Sequence, residues 1–496
     1  MRDLASFPDA HLRIFDRPDV PPPDAIESVY LIGICGKGMG ALAELLVEAG
    51  YTVRGSDEAA YPPMSTRLRD LGIAIDEGYD PAHLDPATDL VVVGNAAVPT
   101  HPEAAYARDH GLVQMSLPEA LAHFFLRDRR SLVVAGTHGK TTTSGMLAHV
   151  LRAAGHYPGF FIGGVMTNYG ATCAVGSGPH FVVEGDEYDS AYFDKRPKFM
   201  HYRPTSAIVT SMEFDHADIY ADWDDYRDAF RAFVALLPSD GLLLLNGDDA
   251  EVRALADHTN ARVRFFGLEG SDDNVSATDI RTVEGGQRFT LVANGDPLTE
   301  IFLPMSGWVN RFDALGVCAI ALDEGLAPEA IADAFASFQG MKRRQEVLGE
   351  RAGVIVLDDF AHHPTAVAAT VHAVQERWPG RRTVAVFEPR SNSSRRKVFE
   401  ATYADALATA DAVFLSSPPL RHNDNPDDFL DADAVAARVA DAGPPAAAFG
   451  DADALLPHLL DTLRPGDVAL VMSNGSFGGL HQKLLAALDE RAAETA

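Results

Sequence analysis

Apolar runs of four to six residues recur along the chain. Each is followed by a glycine or polar cluster and then by a stretch whose apolar residues fall three and four apart. Runs of the first kind suit strands buried on both faces, and stretches of the second suit amphipathic helices. The pattern predicts strands at 28–34 (SVYLIGI), 89–93 (DLVVV), 131–135 (SLVVA), 181–183 (FVV), 206–210 (SAIVT), 241–245 (GLLLL), 353–357 (GVIVL), 383–387 (TVAVF) and 467–472 (DVALVM). It predicts helices at 39–49 and 143–154. Strands alternating with helices build layered α/β folds with parallel sheets. No short internal repeat interrupts the pattern, and 17–24 (RPDVPPPD) reads as an extended, Pro-rich lead-in.

A length of 496 residues is too great for one core and suits about three domains. Composition breaks near 127–130 (RDRR) and 338–343 (FQGMKR) predict domains at 1–127, 128–341 and 342–496. No apolar run approaches the roughly 18 residues of a membrane span. Residues 1–30 show no basic start leading into an apolar stretch, so a cytoplasmic protein is expected. Acidic residues number 71 against 41 basic, a net charge of −30. That field repels nucleic acid and anionic membranes, so neither is an expected partner, and any phosphate ligand requires a local cationic exception. The acid excess also suits a high-salt habitat, where repulsion is screened. The three cysteines, Cys35, Cys173 and Cys318, lack paired spacing and read as buried thiols.

The sharpest chemical signal is Gly136-Thr137-His138-Gly139-Lys140-Thr141-Thr142, between the strand SLVVA and a helical stretch. A strand–glycine loop–helix unit aims backbone N–H groups and a helix N-terminus at one point, which receives anions. Lys140 suits the β- and γ-phosphates of ATP, and the Thr141 hydroxyl suits Mg²⁺. The spacing from Gly136 is shorter than in the common GxxxxGK[ST] form. Glu184-Gly185-Asp186-Glu187-Tyr188-Asp189 follows the strand FVV, and Glu213-Phe214-Asp215-His216-Ala217-Asp218 follows SAIVT. Carboxylates at neighbouring strand ends are placed to hold Mg²⁺. In so acidic a chain the plainer alternative is a pair of solvated loops.

A second glycine loop, Gly33-Ile34-Cys35-Gly36-Lys37-Gly38-Met39-Gly40, follows the first strand, and Gly55-Ser56-Asp57 ends the second. NAD is the generic ligand of such an arrangement. Lys37 supplies the positive charge that a diphosphate requires, and Gly94-Asn95-Ala96 is placed to line the same pocket.

Gly-Thr-His-Gly-Lys-Thr-Thr, together with Glu184 and His216, resembles the Mur ligase family over nearly the whole chain. Longer segments are similar to it as well: Tyr61–Thr66, Phe193–Tyr202, Glu213–Asp218, Glu388–Asn392 and Met472–His481. The resemblance implies a Rossmann-like N-terminal UDP-binding domain, a central P-loop ATPase domain with a mostly parallel sheet, and a Rossmann-like C-terminal domain. It implies that ATP and about two Mg²⁺ ions activate the carboxylate of UDP-N-acetylmuramate as an acyl phosphate. An amine then attacks, and the longer segments favour a murein tripeptide, L-alanyl-γ-D-glutamyl-meso-diaminopimelate, over free L-alanine.

On the same resemblance, Lys140 meets phosphate, Thr141, Glu184 and His216 hold metal, and Arg344, Asp359 and His362 face the nucleotide. Gly36, Lys37, Gly38, Met39, Ser56, Asp57 and Asn95 meet the UDP-sugar. Arg390, Ser391, Asn392, Ser473 and Asn474 meet the amine substrate. Two positions depart from the family. In Gly307-Trp-Val-Asn310-Arg-Phe-Asp313, Asn310 is kept at an adenine contact, but Asp313 stands where a second asparagine is usual. No lysine lies between Lys198 and Lys342, so a carbamylated lysine has no candidate there, and Arg231 stands near its place. The rival readings are the sister ligase using free L-alanine, a folate polyglutamate synthetase, and a P-loop NTPase without ligation.

Overall fold

The computed structural model describes residues 3–214, 219–267, 274–419 and 425–495. Two compact units divide the chain. One comprises Met1–Ser276 with Ala293–Asp296 and Gly316–Ala334, and the other Ala277–Val292, Pro297–Leu315 and Phe335–Ala496.

The first unit opens with β1 (Ser28–Ile32), β2 (Thr52–Asp57), β3 (Ala74–Glu77), β4 (Leu90–Val93) and β5 (Gln114–Ser116), ordered β3-β2-β1-β4-β5. Every neighbouring pair is parallel. The order reverses at β1, which leaves a crevice beyond the carboxyl ends of β1 and β4. The strand predicted to run to 34 stops at Ile32, because Gly33 turns the chain with φ 79°. The helix predicted at 39–49 spans Lys37–Glu48 and is capped by an extended Gly36. Lys37, Gly38 and Met39 therefore lie in its first turn. Its Leu42, Leu45 and Leu46 are fully buried in one core with Leu31 and Val92.

Next come β6 (Arg130–Ala135), β7 (Gly159–Met166), β8 (Ala171–Ala174), β9 (His180–Glu184), the hairpin strands β10 (Asp189–Ala191) and β11 (Asp194–Pro197), β12 (Ser206–Val209), β13 (Leu242–Asn246) and β14 (Arg262–Phe266). Apart from the hairpin they order as β14-β13-β12-β6-β9-β7-β8. Only β8 runs antiparallel. Leu132, Val133, Val134 and Ala135 of β6 are fully buried, as a central parallel strand requires.

Residues before β1 pack across the hairpin. Phe15 stacks on Tyr192 at 6.2 Å and meets Phe193 edge-on at 5.9 Å. Arg13 donates to Tyr192 O at 3.0 Å, and Arg17 reaches both oxygens of Glu119 at 3.0 Å. The Pro-rich lead-in thus continues from an ordered strap.

Strands β15 (Asn274–Val283), β16 (Gly286–Ala293) and β17 (Asp296–Leu303) follow one another in the order β17-β16-β15. Burial alternates along β16, the signature of a half-buried strand rather than of an apolar run. The second unit continues with β18 (Glu346–Arg351), β19 (Val354–Asp359), β20 (Thr383–Glu388), β21 (Ala412–Ser416), β22 (Ala446–Phe449) and β23 (Val468–Ser473), ordered β18-β19-β23-β20-β21-β22. This sheet is parallel except for the edge strand β18. Apolar clusters cover both of its faces. Among the described residues no helix is long and apolar enough to cross a membrane.

Candidate active site

The chain leaves β6 through Gly136, whose φ is 135°. A Cβ there would stand 2.1 Å from Thr210 Oγ1 and 2.9 Å from Ser211 N, so only glycine fits. Thr137 N donates to Ser211 O at 3.0 Å and His138 N to Ser211 Oγ at 2.9 Å, which docks the loop on the end of β12. Gly139, left-handed at φ 80°, caps the helix Lys140–Ala153. That helix was predicted from 143. It starts at Lys140, so Lys140, Thr141 and Thr142 form its first turn, where main-chain N–H groups lack intrahelical acceptors.

Lys140 Nζ donates to Gly136 O at 2.6 Å, Thr137 O at 3.3 Å and Glu187 Oε1 at 2.8 Å. Burial disfavours an ammonium, but Glu187, with Glu184 and Asp186, outweighs it and holds the lysine charged above the ordinary lysine range. Thr141 Oγ1 donates to Glu184 Oε1 at 2.9 Å, and Gly163 N to Glu184 Oε2 at 2.7 Å. Glu184 ends β9, the strand beside β6, as the sequence order predicts. Asp186 accepts from Lys198 Nζ at 2.6 Å and from Tyr188 N at 3.0 Å. Burial pushes its pKa up, Lys198 pulls it down further, and it settles at about 2.

On the other flank, beyond β12, Glu213 Oε2 lies 3.1 Å from His138 Nε2, and Glu213 N donates to Thr137 Oγ1 at 2.8 Å. His216, with Asp215 and Asp218, lies outside the described residues. Arg231 pairs with Asp228 at 2.9 Å. The hydroxyl and carboxylate oxygens of Thr141 and Glu184, set between a lysine and a helix N-terminus, fit a magnesium-bound polyphosphate.

The second glycine loop sits at the reversal of the first sheet. Gly33 N and Ile34 N both donate to Ser56 O, at 2.8 and 2.9 Å, and Cys35 N donates to Asp57 Oδ2 at 2.8 Å. Gly94 N donates to Ile32 O at 3.1 Å, and a Cβ on Gly94 would stand 2.7 Å from that oxygen. Asn95 is therefore delivered to the end of β4 beside the loop. Ser56 is fully buried, and its hydroxyl donates to Glu103 rather than facing the crevice. Met39 is buried as well, at 5% exposure. Sequence reasoning missed Glu103. Its only local signal is an acidic residue in a helix's first turn.

The second unit gathers its candidates at the carboxyl ends of β19, β20 and β23. Asp359 Oδ2 accepts from Gln345 N and Oδ1 from Ala361 N, both at 2.7 Å, so this carboxylate clamps its own loop. Burial pushes its pKa up. Arg344 lies over the Phe360 ring at 4.8 Å. Arg343, which sequence reasoning passed over, donates to Gly475 O at 2.8 Å and pairs with Asp358 at 3.2 Å. His362 Nδ1 lies 3.1 Å from Phe360 O. Arg390 extends over Gly475, where a Cβ would stand 2.3 Å from Arg390 Cδ. Its guanidinium lies 3.6 Å from Glu388, which also accepts from Ser473 Oγ. Ser391 and Ser394 share a 2.8 Å hydroxyl contact, with Asn392 in the turn between them. Asn474 Oδ1 is buried and has no hydrogen-bond partner among the described residues. Asn310 Nδ2 donates to Ser306 O at 2.6 Å, and Asp313 lies one turn further along the same helix, both nearly buried.

A phosphate loop at the centre of a mostly parallel sheet, with carboxylates at the end of one flanking strand and beyond the end of the other, defines a phosphate-loop α/β protein. A separate parallel sheet with a glycine loop at its order reversal narrows the class. Models for the Mur ligase family catalytic domain, the Mur ligase middle domain and the Mur ligase glutamate ligase domain match residues 28–129, 134–321 and 343–475. The UDP-N-acetylmuramate–L-alanyl-γ-D-glutamyl-meso-2,6-diaminoheptandioate ligase of Escherichia coli K12 is 40% identical over 470 residues, covering 94% of this chain and 99% of that one. A UDP-N-acetylmuramate–L-alanine ligase of Chlorobaculum parvum is 35% identical over 454 residues, covering 91% and 94%. The crystal structure of a murein peptide ligase from Psychrobacter arcticus 273-4 matches with a TM-score of 0.69 at 34% identity, covering 93% and 99%. The chain belongs to the Mur ligase family, and it is a ligase.

Proposed function

We propose that this ligase joins the carboxylate of UDP-N-acetylmuramate to the amine of L-alanyl-γ-D-glutamyl-meso-diaminopimelate at the expense of ATP, by way of an acyl phosphate. The observation that carries the chemistry is the meeting of Lys140, Thr141 and Glu184 at one helix N-terminus. The amine is supported by the relative that bears the tripeptide ligase name at 40% identity.

A carboxylate oxygen is a poor leaving group, so an amine does not displace it at neutral pH. Phosphorylation supplies a better one. Lys140 and the amides of residues 139–142, at the helix N-terminus, would hold the polyphosphate, and Thr141 and Glu184 would hold magnesium. When bound, that ion offsets the charge on the phosphate oxygens. Lys140, kept charged by Glu187, orients the phosphoryl group. His216 is retained as a metal ligand on the resemblance alone, as are Asn310, Asp313, Arg344, Asp359 and His362 toward the nucleotide. The glycine loop with Lys37 and Asp57 takes the UDP-sugar. Arg390, Asn392 and Asn474 take the peptide, and Asn474 Oδ1, without a hydrogen-bond partner among the described residues, suits an amine N–H donor. The division at 1–127, 128–341 and 342–496 assigns one substrate to each part.

The second reading, use of free L-alanine, is favoured by the relative at 35% identity that carries that name. One assay separates the two. Ligation is measured with UDP-N-acetylmuramate, ATP and Mg²⁺, with either the tripeptide or L-alanine as amine. The tripeptide should win by about tenfold or more in kcat/KM. Lys140→Ala and Glu184→Ala should abolish product while circular dichroism stays unchanged. Equal or greater turnover of L-alanine would move the assignment to the sister activity. ATP hydrolysis indifferent to the UDP-sugar would remove ligation from the account.

A further inference from the structure

We infer that Glu103 is a positioning residue for the UDP-sugar: a buried carboxylate that fixes Ser56 and, through Ser56, the glycine loop. The inference rests on reading that loop as the diphosphate site. Glu103 stands in the first turn of the helix Pro102–Asp109 and is fully buried. Its Oε2 accepts from Ser56 Oγ. Its Oε1 accepts from Tyr30 OH at 3.3 Å and Asp80 N at 3.2 Å, and lies 3.0 Å from His83 Nδ1. Four segments thus converge on one side chain: β1, the end of β2, the 80–83 turn and the helix itself.

Burying a carboxylate is costly unless donors surround it, so its retention at this point calls for a role. The parallel ladder of β1 and β2 already sets the strand register and ends at Ile32↔Ser56. What the ladder does not set is the loop beyond it. Three successive amides there, of residues 33, 34 and 35, are held by Ser56 O and the Asp57 carboxylate. Ser56 is in turn held by Glu103. Binding of a diphosphate by main-chain amides tolerates displacements of only about 0.5 Å, so the orientation of this serine is transmitted to the ligand. Glu103 touches no ligand itself.

The test is calorimetric titration of the full-length enzyme with UDP and with UDP-N-acetylmuramate. Titration with the non-hydrolysable analogue AMPPNP and Mg²⁺ is the control. Glu103→Ala should weaken both uridine ligands about tenfold or more and leave the AMPPNP affinity unchanged. In turnover, KM for the UDP-sugar should rise while kcat holds. Glu103→Gln, which keeps the size and part of the hydrogen bonding, should lie between wild type and Glu103→Ala. Ser56→Ala should weaken uridine binding in the wild type and add little in the Glu103→Ala background, because the two act through one contact. Wild-type affinity in Glu103→Ala, or in both Glu103→Gln and Ser56→Ala should the alanine variant not fold, would overturn the inference. So would equal losses of uridine and AMPPNP binding. Wild-type enzyme that binds no uridine ligand would instead refute the underlying assignment of the loop.

Discussion

Asp186 shows how firmly single charges are set around the phosphate loop. Its folded pKa of about 2 lies below the ordinary 3.8, because Lys198 outweighs the effect of burial. A depressed carboxylate stabilises the fold fully above its unfolded pKa and loses that contribution as pH falls through the folded one. The window is therefore about pH 4 down to about pH 2. Lys198→Met should lower stability at pH 7 by on the order of 1 kcal/mol, since the pair is part-exposed. The gap between variant and wild type should shrink across that window in thermal melts, and a gap that is constant from pH 7 to pH 2 would dismiss the pairing. At this scale the sequence is legible where chemistry is local. Gly136, Lys140 and Thr141 sit within one strand-to-helix turn, and Glu184 ends the adjacent strand. Glu187 as the partner of Lys140, and Glu103 beneath Ser56, are set by contacts 47 residues apart, which no periodicity encodes. Ser56 illustrates the converse: the sequence shows a polar residue beside a glycine loop, and only the fold shows that its hydroxyl donates to Glu103.

Among elements, the strap before β1 lies outside the residues that the family models match, which begin at 28. It is tied on by Phe15 against Tyr192 and Phe193 and by Arg17 on Glu119. The turn of the hairpin β10–β11 buries Tyr192 and Phe193 partly beneath this strap, so its cover should govern its opening. Phe15→Ala combined with Arg17→Ala should speed amide exchange across 189–197 by about tenfold or more, while exchange across 131–135 stays at the wild-type rate. Unchanged exchange in the hairpin would make the strap an idle appendage. Buried parallel strands were readable because both of their faces are apolar. β15 to β17 were not, because half-buried strands alternate and their apolar positions look scattered. Helix starts erred by two or three residues wherever a glycine cap opened the helix ahead of its first apolar position, as Gly36 and Gly139 do.

Over the whole molecule, a net charge of −30 means that surface carboxylates repel one another. The screening length falls from about 10 Å at 0.1 M salt to about 3 Å at 1 M. The unfolding temperature should therefore rise by on the order of 5 °C between 0.1 and 1 M KCl. A flat or falling melting temperature would show that repulsion is not what limits the fold. The fold class was legible at this scale because alternation of strand and helix is a property of order alone. Lys140 and Glu187 belong to a different electrostatic regime from the surface: their side chains are 15% and 1% exposed. Salt screens so buried a pair much less than it screens the surface. Brine that quiets the exterior should leave this pair intact, so the enzyme's wiring at the phosphate loop is insulated from the medium that stabilises its shell.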